Sequence, residues 1–133
     1  MSGKFVPYVQ TGNLIYVSGH IANADDKPLV GRLGETMTLE QGQDAAAGVA
    51  GDLLATLEEA TGDLDRIQRI VKLVVLVNSA ADFTEQHLVA NGASDVFLER
   101  FGDRGRHARS AFGVAQLPYG VCVEIELVAE VAW

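Results

Sequence analysis

The run of residues 70–77, IVKLVVLV, is the feature that most limits how this chain can fold. It is rich in β-branched residues, and its single charged residue is Lys72. A run of this kind is typical of a strand that is covered on both faces, or by helices on one face and another subunit on the other. We therefore expect it to be a central strand of a sheet.

Two segments with an apolar repeat of three or four residues flank this strand, and they predict two helices. Thr38 and Gln41 suit a capping box at the start of the first helix, and Gly62 suits its end. Asp82 with Glu85 suits the cap of the second helix. The apolar face of the first helix comprises Ala46, Val49, Ala50, Leu53, Leu57 and Ala60, and that of the second comprises Leu88, Val89, Val96, Phe97 and Phe101.

Four further strands are predicted, two before the first helix and two after the second. They are expected at residues 5–9, 14–18, 110–117 and 121–131. The first two form a hairpin, which is followed by a loop at residues 22–34. In the last strand, apolar residues alternate with Cys122, Glu124 and Glu126, which places these three on the opposite, polar face.

The order strand, strand, helix, strand, helix, strand, strand predicts the α/β class in its α+β form, with a mixed sheet backed by two helices. We expect residues 1–133 to form a single domain, because a chain of this length builds one hydrophobic core. Two helices cover only one face of the sheet, so the strand at residues 70–77 needs a further cover. Oligomerisation is the expected source of that cover.

Composition narrows the classes of function. Apolar residues make up 48% of the chain, but no apolar run approaches the roughly 20 residues that span a bilayer, so no membrane partner is expected. The first residues carry no signal or transit pattern, which favours a cytoplasmic location. The formal net charge of −8 disfavours nucleic acid as a partner. It leaves a small carboxylate ligand open, because a recessed arginine acts at contact distance.

No cofactor and no metal are expected. The single cysteine, Cys122, has no metal-ligating companion at useful spacing, and no phosphate-binding glycine motif occurs. Cys122 is interpreted as filler of the sheet, and His107 as a solvated residue of a glycine- and arginine-rich loop.

Arg109 and Glu124 are the charged residues whose positions suggest chemistry. Arg109 stands at the start of a predicted strand, just after a glycine-rich segment, and Glu124 stands on the polar face of the next strand. An ion pair between the two strands is one interpretation. A guanidinium group that binds a carboxylate in two-point fashion is the other, and spacing alone leaves both open.

Three segments resemble the RidA/YjgF family of reactive-intermediate deaminases, also described as endoribonuclease L-PSP-like, over essentially the whole chain. They are GNLIYVSGHIA at residues 12–22, DFTEQHLVANGASDVF at 82–97 and ARSAFGVAQLPYGVCVEIELVAEV at 108–131. The last segment is the specific one. It combines an Arg-Ser pair, an LP turn and a VEIE strand whose first glutamate follows the arginine by 15 residues.

The resemblance implies a chorismate-mutase-like fold, assembled as a homotrimer with a barrel-like centre and with clefts between subunits. It implies hydrolysis of reactive enamines and imines, such as 2-aminoacrylate, to 2-keto acids and ammonia, without a metal or an organic cofactor. The alternative is a trimeric module that binds a small carboxylate, such as a 2-keto acid, without catalysis. RNA cleavage, a third activity in the family, is disfavoured by the acidic charge.

Residue by residue, the resemblance implies that Arg109 binds the substrate carboxylate and that Glu124 positions or activates water. Ser18 and Gly19 match the serine-glycine pair of the cleft, and Asn91 matches its asparagine.

Two positions depart from the family pattern. Phe5 stands where the deaminases carry a cleft tyrosine, so a hydroxyl group is missing unless Tyr8 supplies it. Ala111 stands where many members carry a cysteine whose backbone N–H is the usual contact, so this departure changes little.

Overall fold

The computed structural model describes residues 3–133, which form a five-stranded mixed sheet with two helices packed on one face. Along the chain the elements are β1 (Tyr8–Thr11), β2 (Leu14–Ile21), β3 (Asn23–Ala24), β4 (Lys27–Pro28), α1 (Leu39–Thr61), β5 (Ile67–Asn78), α2 (Gln86–Phe101), β6 (Ala108–Val114) and β7 (Val123–Val131). The order across the main sheet is β1-β2-β7-β5-β6. Strands β5 and β6 pair in parallel, and the other neighbours pair antiparallel. The predicted fold class is confirmed.

Helix α1 begins and ends where the sequence predicts. The Thr38 hydroxyl accepts a hydrogen bond from the Gln41 amide at 3.2 Å, and the Gln41 side chain accepts one from the Thr38 amide at 2.9 Å. Gly62 ends the helix in the left-handed region, with φ 77°, and its amide donates to the Glu58 carbonyl. The predicted apolar face packs against the sheet, and the two contribute to one core cluster.

Strand β5 extends the apolar run at both ends. Leu73, Val75 and Val77 are fully buried under the helices, whereas Val74 and Leu76 are half-buried on the opposite face. The strand lies inside the sheet between β7 and β6, but β7 holds the middle position. The predicted strand is therefore an interior strand of the sheet, one position away from the centre. The last strand of the chain takes the central position because it inserts between β2 and β5.

Helix α2 starts without the predicted cap. Glu85 is the capping residue by position and makes no side-chain capping bond, and Asp82 is exposed in the turn before it. The helix then continues without a break through Gly92. A Cβ atom at that position would overlap the Gln43 carbonyl of α1, so the glycine allows the two helices to approach closely.

The first two strands are displaced relative to the prediction. Phe5 precedes β1, which starts at Tyr8, and β2 continues past Ser18 as far as Ile21 through a bulge. The segment at residues 22–34 is not a plain loop, because β3 and β4 form a small hairpin within it.

The last two strands differ from the prediction in their bounds, because β6 spans Ala108–Val114 and β7 spans Val123–Val131. The predicted alternation of side chains fails at one position, Cys122. The alternation in β7 is confirmed for Glu124 and Glu126, which lie on the open face. Cys122 is instead fully buried. It precedes β7, and its amide donates to the carbonyl of Leu29, which lies in the segment at residues 22–34.

The second face of the sheet carries apolar and charged side chains side by side. Tyr16 of β2 pairs with Val128, and Phe112 of β6 pairs with Leu76, which places both rings on this face. The two side chains are 47% and 46% exposed there. We call it the open face. It is the surface for which the sequence predicts a cover by other subunits.

Candidate functional site

Arg109 lies on the edge strand β6 opposite Leu73, and its side chain points toward the helix layer. Its Nη1 atom donates to Asn91 Oδ1 at 2.8 Å and to Ser94 Oγ at 3.0 Å, and Nη2 donates to the His87 carbonyl at 3.2 Å. All three acceptors belong to α2. The helix therefore fixes the guanidinium group, and the structure brings the predicted Asn91 into contact with Arg109.

The hydrogen bonds of Arg109 leave one edge of its guanidinium group available. Of the five N–H donors of an arginine, three are engaged by α2 within residues 3–133. The two that remain, on Nε and Nη2, share one edge of the planar group and form a fork suited to a carboxylate. The adjoining pocket has a volume of about 400 Å³ and is lined by Ser94, Leu98, Arg106, His107 and Arg109.

His107 belongs to the surroundings of Arg109, which corrects its interpretation as a solvated loop residue. Its ring is half-buried, with Nε2 at 2.9 Å from Ser94 Oγ and Nδ1 at 2.7 Å from the Gly105 carbonyl. Sequence reasoning missed Ser94 entirely. The available signal was its position three residues after Asn91, which places both side chains on one face of a helix.

Glu124 lies on the open face, where it packs over the bulge of β2. Ser18 and Gly19 form that bulge, between Val17 and His20. A Cβ atom at position 19 would overlap the Glu124 carboxylate, so only glycine leaves room for it. Burial raises the pKa of Glu124, and the negative charge of Glu126 raises it further, whereas His20 lowers it.

Three predicted residues line a second pocket, of about 450 Å³, on the β2 side of the sheet. They are Phe5, Ser18 and Gly19. The Ser18 hydroxyl donates to the Val6 carbonyl at 2.6 Å, which ties the segment that carries Phe5 to the pocket. His20 also lines this pocket, with its ring nitrogens 2.7 Å from the Ser18 carbonyl and 2.7 Å from the Thr56 hydroxyl.

The two departures from the family pattern have different settings. Tyr8 pairs with Val17 and packs against the core, and it is not among the residues that line the pocket beside Phe5. Ala111 lies on the same side of β6 as Arg109 and also packs against the core.

The predicted residues therefore fall into two groups within one chain. Arg109 and Asn91 lie at the β6 edge, whereas Phe5, Ser18 and Gly19 lie near β2, three strand spacings or roughly 14 Å away. Glu124 belongs with the second group and lies on the opposite face of the sheet from Arg109. The interpretation of Arg109 and Glu124 as an ion pair between neighbouring strands is wrong, because β5 separates β6 from β7.

Metal-ligating side chains and the single thiol are the other groups of the described residues that could form a reactive arrangement. Among residues 3–133, no group of three or more His, Cys, Asp or Glu side chains is arranged to hold a metal ion. Burial raises the pKa of the Cys122 thiol, which disfavours the reactive thiolate. No helix in the described part of the chain is long and apolar enough to cross a membrane.

Known proteins match this chain over nearly its full length. Residues 1–131 match the model of the Endoribonuclease L-PSP family. The chain belongs to this family. The same family carries the names YjgF and RidA, so the resemblance found in the sequence is confirmed.

Proteins with chains similar to this one differ in name. Protein TCP17 of Trypanosoma cruzi is 47% identical over 129 residues, which cover 96% of this chain and 81% of that protein. The crystal structure of the protein Atu1372 from Agrobacterium tumefaciens, described as having unknown function, is similar with a TM-score of 0.95 and 40% identity, covering 98% of this chain and 83% of that one. RidA from the Antarctic bacterium Psychrobacter sp. PAMC 21119 is similar with a TM-score of 0.60 and 26% identity, covering 98% and 91%.

Proposed function

We propose that this protein hydrolyses small imino acids to 2-keto acids and ammonia, with the substrate carboxylate held by Arg109. The observation that carries the proposal is the fixed guanidinium group, whose Nε N–H and second Nη2 N–H make no hydrogen bond within residues 3–133. A fork of two parallel charge-assisted hydrogen bonds matches the geometry of a carboxylate. Because the group is already fixed, binding costs little side-chain entropy.

A second copy of the chain completes the site in this proposal. A small substrate cannot span the roughly 14 Å between the Arg109 group and the Glu124 group. A cleft between neighbouring copies can join the Arg109 edge of one to the Gly19 and Glu124 side of the next. The exposed aromatic rings of Tyr16 and Phe112 on the open face support assembly of this kind, and the family resemblance makes a homotrimer the expected form.

The proposed chemistry uses water as its only other reactant. An enamine such as 2-aminoacrylate first tautomerises to the imine. Water then adds to the imine carbon, with Glu124 accepting a proton from the water while the nitrogen takes one from solvent. The C–N bond of the resulting carbinolamine breaks, the hydroxyl proton passes to solvent as the C=O bond forms, and ammonia leaves with the proton that Glu124 returns to the nitrogen. A raised pKa suits Glu124 to both transfers, because it brings the group closer to the working pH.

The absence of a hydroxyl group at Phe5 limits how much catalysis this site supplies. General acid–base assistance alone contributes about 10²–10⁴ in rate, which suffices for imines that already hydrolyse in water. The missing hydroxyl group at Phe5, which lines the pocket, also supports a second candidate function, in which the same cleft binds a stable 2-keto acid without turnover.

RNA is not the proposed substrate, although the family description names an endoribonuclease. The net charge of −8 disfavours a phosphate backbone. We also propose that neither a metal nor an organic cofactor takes part, since the reaction needs only water and proton transfer.

The test is the release of ammonia and 2-keto acid from imino acids that an amino-acid oxidase generates in solution. We expect the wild type to accelerate the release and Arg109→Ala to abolish the acceleration. Arg66→Ala, which removes an exposed arginine that lines neither pocket, is the matched control and should behave as the wild type. Equal acceleration by Arg109→Ala would contradict the role of Arg109. Binding of a 2-keto acid without acceleration would favour the binding module.

A further inference from the structure

A continuous chain of hydrogen bonds runs from the backbone at Gly105 to the guanidinium group of Arg109. The Gly105 carbonyl lies 2.7 Å from His107 Nδ1, His107 Nε2 lies 2.9 Å from Ser94 Oγ, and Ser94 Oγ lies 3.0 Å from Arg109 Nη1. These contacts join the loop before β6, helix α2 and β6 itself. Neither the family resemblance nor the proposed reaction gives a role to Ser94 or His107.

The direction of each hydrogen bond follows from the groups at the two ends. A backbone carbonyl only accepts, so Nδ1 of His107 carries the proton. In the neutral ring, Nε2 is then an acceptor and takes the hydroxyl proton of Ser94. Arginine only donates, so Ser94 Oγ presents a lone pair to Nη1 of Arg109. With the His107 ring neutral, each bond in this chain therefore has only one allowed direction.

The outer end of the chain is held rigidly. A Cβ atom at Gly105 would overlap the Phe97 carbonyl of α2, so the glycine brings the loop directly against the helix backbone. The His107 ring meets the Phe97 ring edge-on, with 6.2 Å between the centroids and an angle of 79°. The ring thus has a fixed orientation as well as a fixed tautomer.

We propose that Ser94 and His107 are positioning residues for carboxylate binding by Arg109. By holding Nη1 from one side while Asn91 holds it from the other, they fix the plane of the guanidinium group and turn its Nε and Nη2 edge toward the pocket. This inference rests on the proposed function of Arg109. It adds that ligand affinity depends, through Ser94, on which ring nitrogen of His107 carries the proton.

Binding of 2-oxobutanoate, a stable 2-keto acid, tests this role by titration calorimetry on the assembled protein. We expect Ser94→Ala and His107→Phe to weaken binding about tenfold or more, the loss typical of a hydrogen bond to a charged group. His107→Gln should bind within about threefold of the wild type, because its amide oxygen can still accept the Ser94 proton. Gln68→Ala, at an exposed position on β5, is the control and should bind as the wild type.

The wild type offers a second measurement that needs no variant to fold. Nitrogen NMR of the histidine rings distinguishes the two tautomers, and we expect His107 to carry its proton on Nδ1 in the neutral form. A proton on Nε2, or unchanged affinity in both Ser94→Ala and His107→Phe, would overturn the positioning role while leaving Arg109 as the carboxylate ligand. Failure of the wild type to bind any 2-keto acid would overturn the proposed function itself.

Discussion

The carboxylate of Glu124 lies against the backbone of Gly19, in the place that a Cβ atom of residue 19 would occupy. The side chain reaches this place because the bulge at Ser18 and Gly19 turns β2 at that point. Gly19 of the predicted serine-glycine pair is thereby in direct contact with the proposed base.

Gly19→Ala is expected to displace the Glu124 carboxylate and to lower the turnover of imino acids at least tenfold. The loss of folding stability should be small, under about 1 kcal/mol, because the displaced atoms are the end of a flexible side chain. Steady-state turnover and denaturant unfolding, measured on the same preparation, separate the two effects. Full turnover in Gly19→Ala would show that the place of Glu124 beside Gly19 does not matter to the reaction.

Glu126→Gln is expected to lower the pKa of Glu124, because the charge of Glu126 contributes to its raised value. Carbon NMR of the carboxyl groups follows the titration of Glu124 directly in both proteins. We expect the wild-type midpoint to lie above the ordinary value of a glutamate, and the midpoint in Glu126→Gln to lie closer to it. A midpoint that does not move would show that the two carboxylates are not coupled.

The raised pKa of Glu124 also has a consequence for stability. A carboxyl group whose pKa is higher in the folded state binds protons more tightly when folded, so its contribution to stability is present below the unfolded pKa and is lost as the pH rises through the folded pKa. Glu124→Gln should therefore be more stable than the wild type at neutral pH and should lack this loss. Urea unfolding at a series of pH values measures the difference, and a Glu124→Gln variant less stable than the wild type at neutral pH would contradict it.

Gly92→Ala is expected to destabilise the fold by about 2–3 kcal/mol, because the added methyl group meets the rigid backbone of α1 at Gln43. Gly48→Ala is the matched control within α1. Nothing lies within 4 Å of its added Cβ atom, so we expect it to stabilise the protein by about 0.5–1 kcal/mol through its helix propensity. Similar stabilities for the two variants, measured by denaturant unfolding, would contradict the close approach of the helices.

The open face gives a prediction about assembly. We expect the protein to sediment as a trimer, and we expect Tyr16→Lys combined with Phe112→Lys to sediment as a folded monomer without turnover. Both rings are about half exposed in the isolated chain, so the substitutions should leave the monomer fold intact. Trp133→Lys, at an exposed residue outside the sheet, is the control and should remain trimeric. A wild type that sediments as a monomer would contradict the proposed cleft.

The parts of the fold that depend on local patterns could be predicted from the sequence. The capping box of Thr38 and Gln41 and the stop at Gly62 involve residues close along the chain, so spacing alone identified them. The start of α2 at Gln86 differs, because the predicted cap at Glu85 makes no side-chain capping hydrogen bond. There the segment is fixed by longer contacts, such as the hydrogen bond from Gln86 to the Ser79 hydroxyl at 3.1 Å.

The candidate site shows the same division. The types of Arg109 and Glu124 suggested their chemistry, but the distance between them depends on the order of the strands, in which β5 lies between β6 and β7. His107 looked like a solvated loop residue because the sequence does not reveal that Gly105 packs against α2 and turns the ring toward Ser94.

Mixing two inactive variants tests the central claim most directly, that Arg109 of one copy and Glu124 of another form one site. Arg109→Ala and Glu124→Gln should each lack turnover of imino acids alone. When the two chains are unfolded together in equal amounts and refolded, mixed trimers contain interfaces that carry both intact residues. With random assembly, we expect about a quarter of the wild-type activity to return. If the mixture shows mixed trimers but stays as inactive as its components, Arg109 and Glu124 do not share a site between copies.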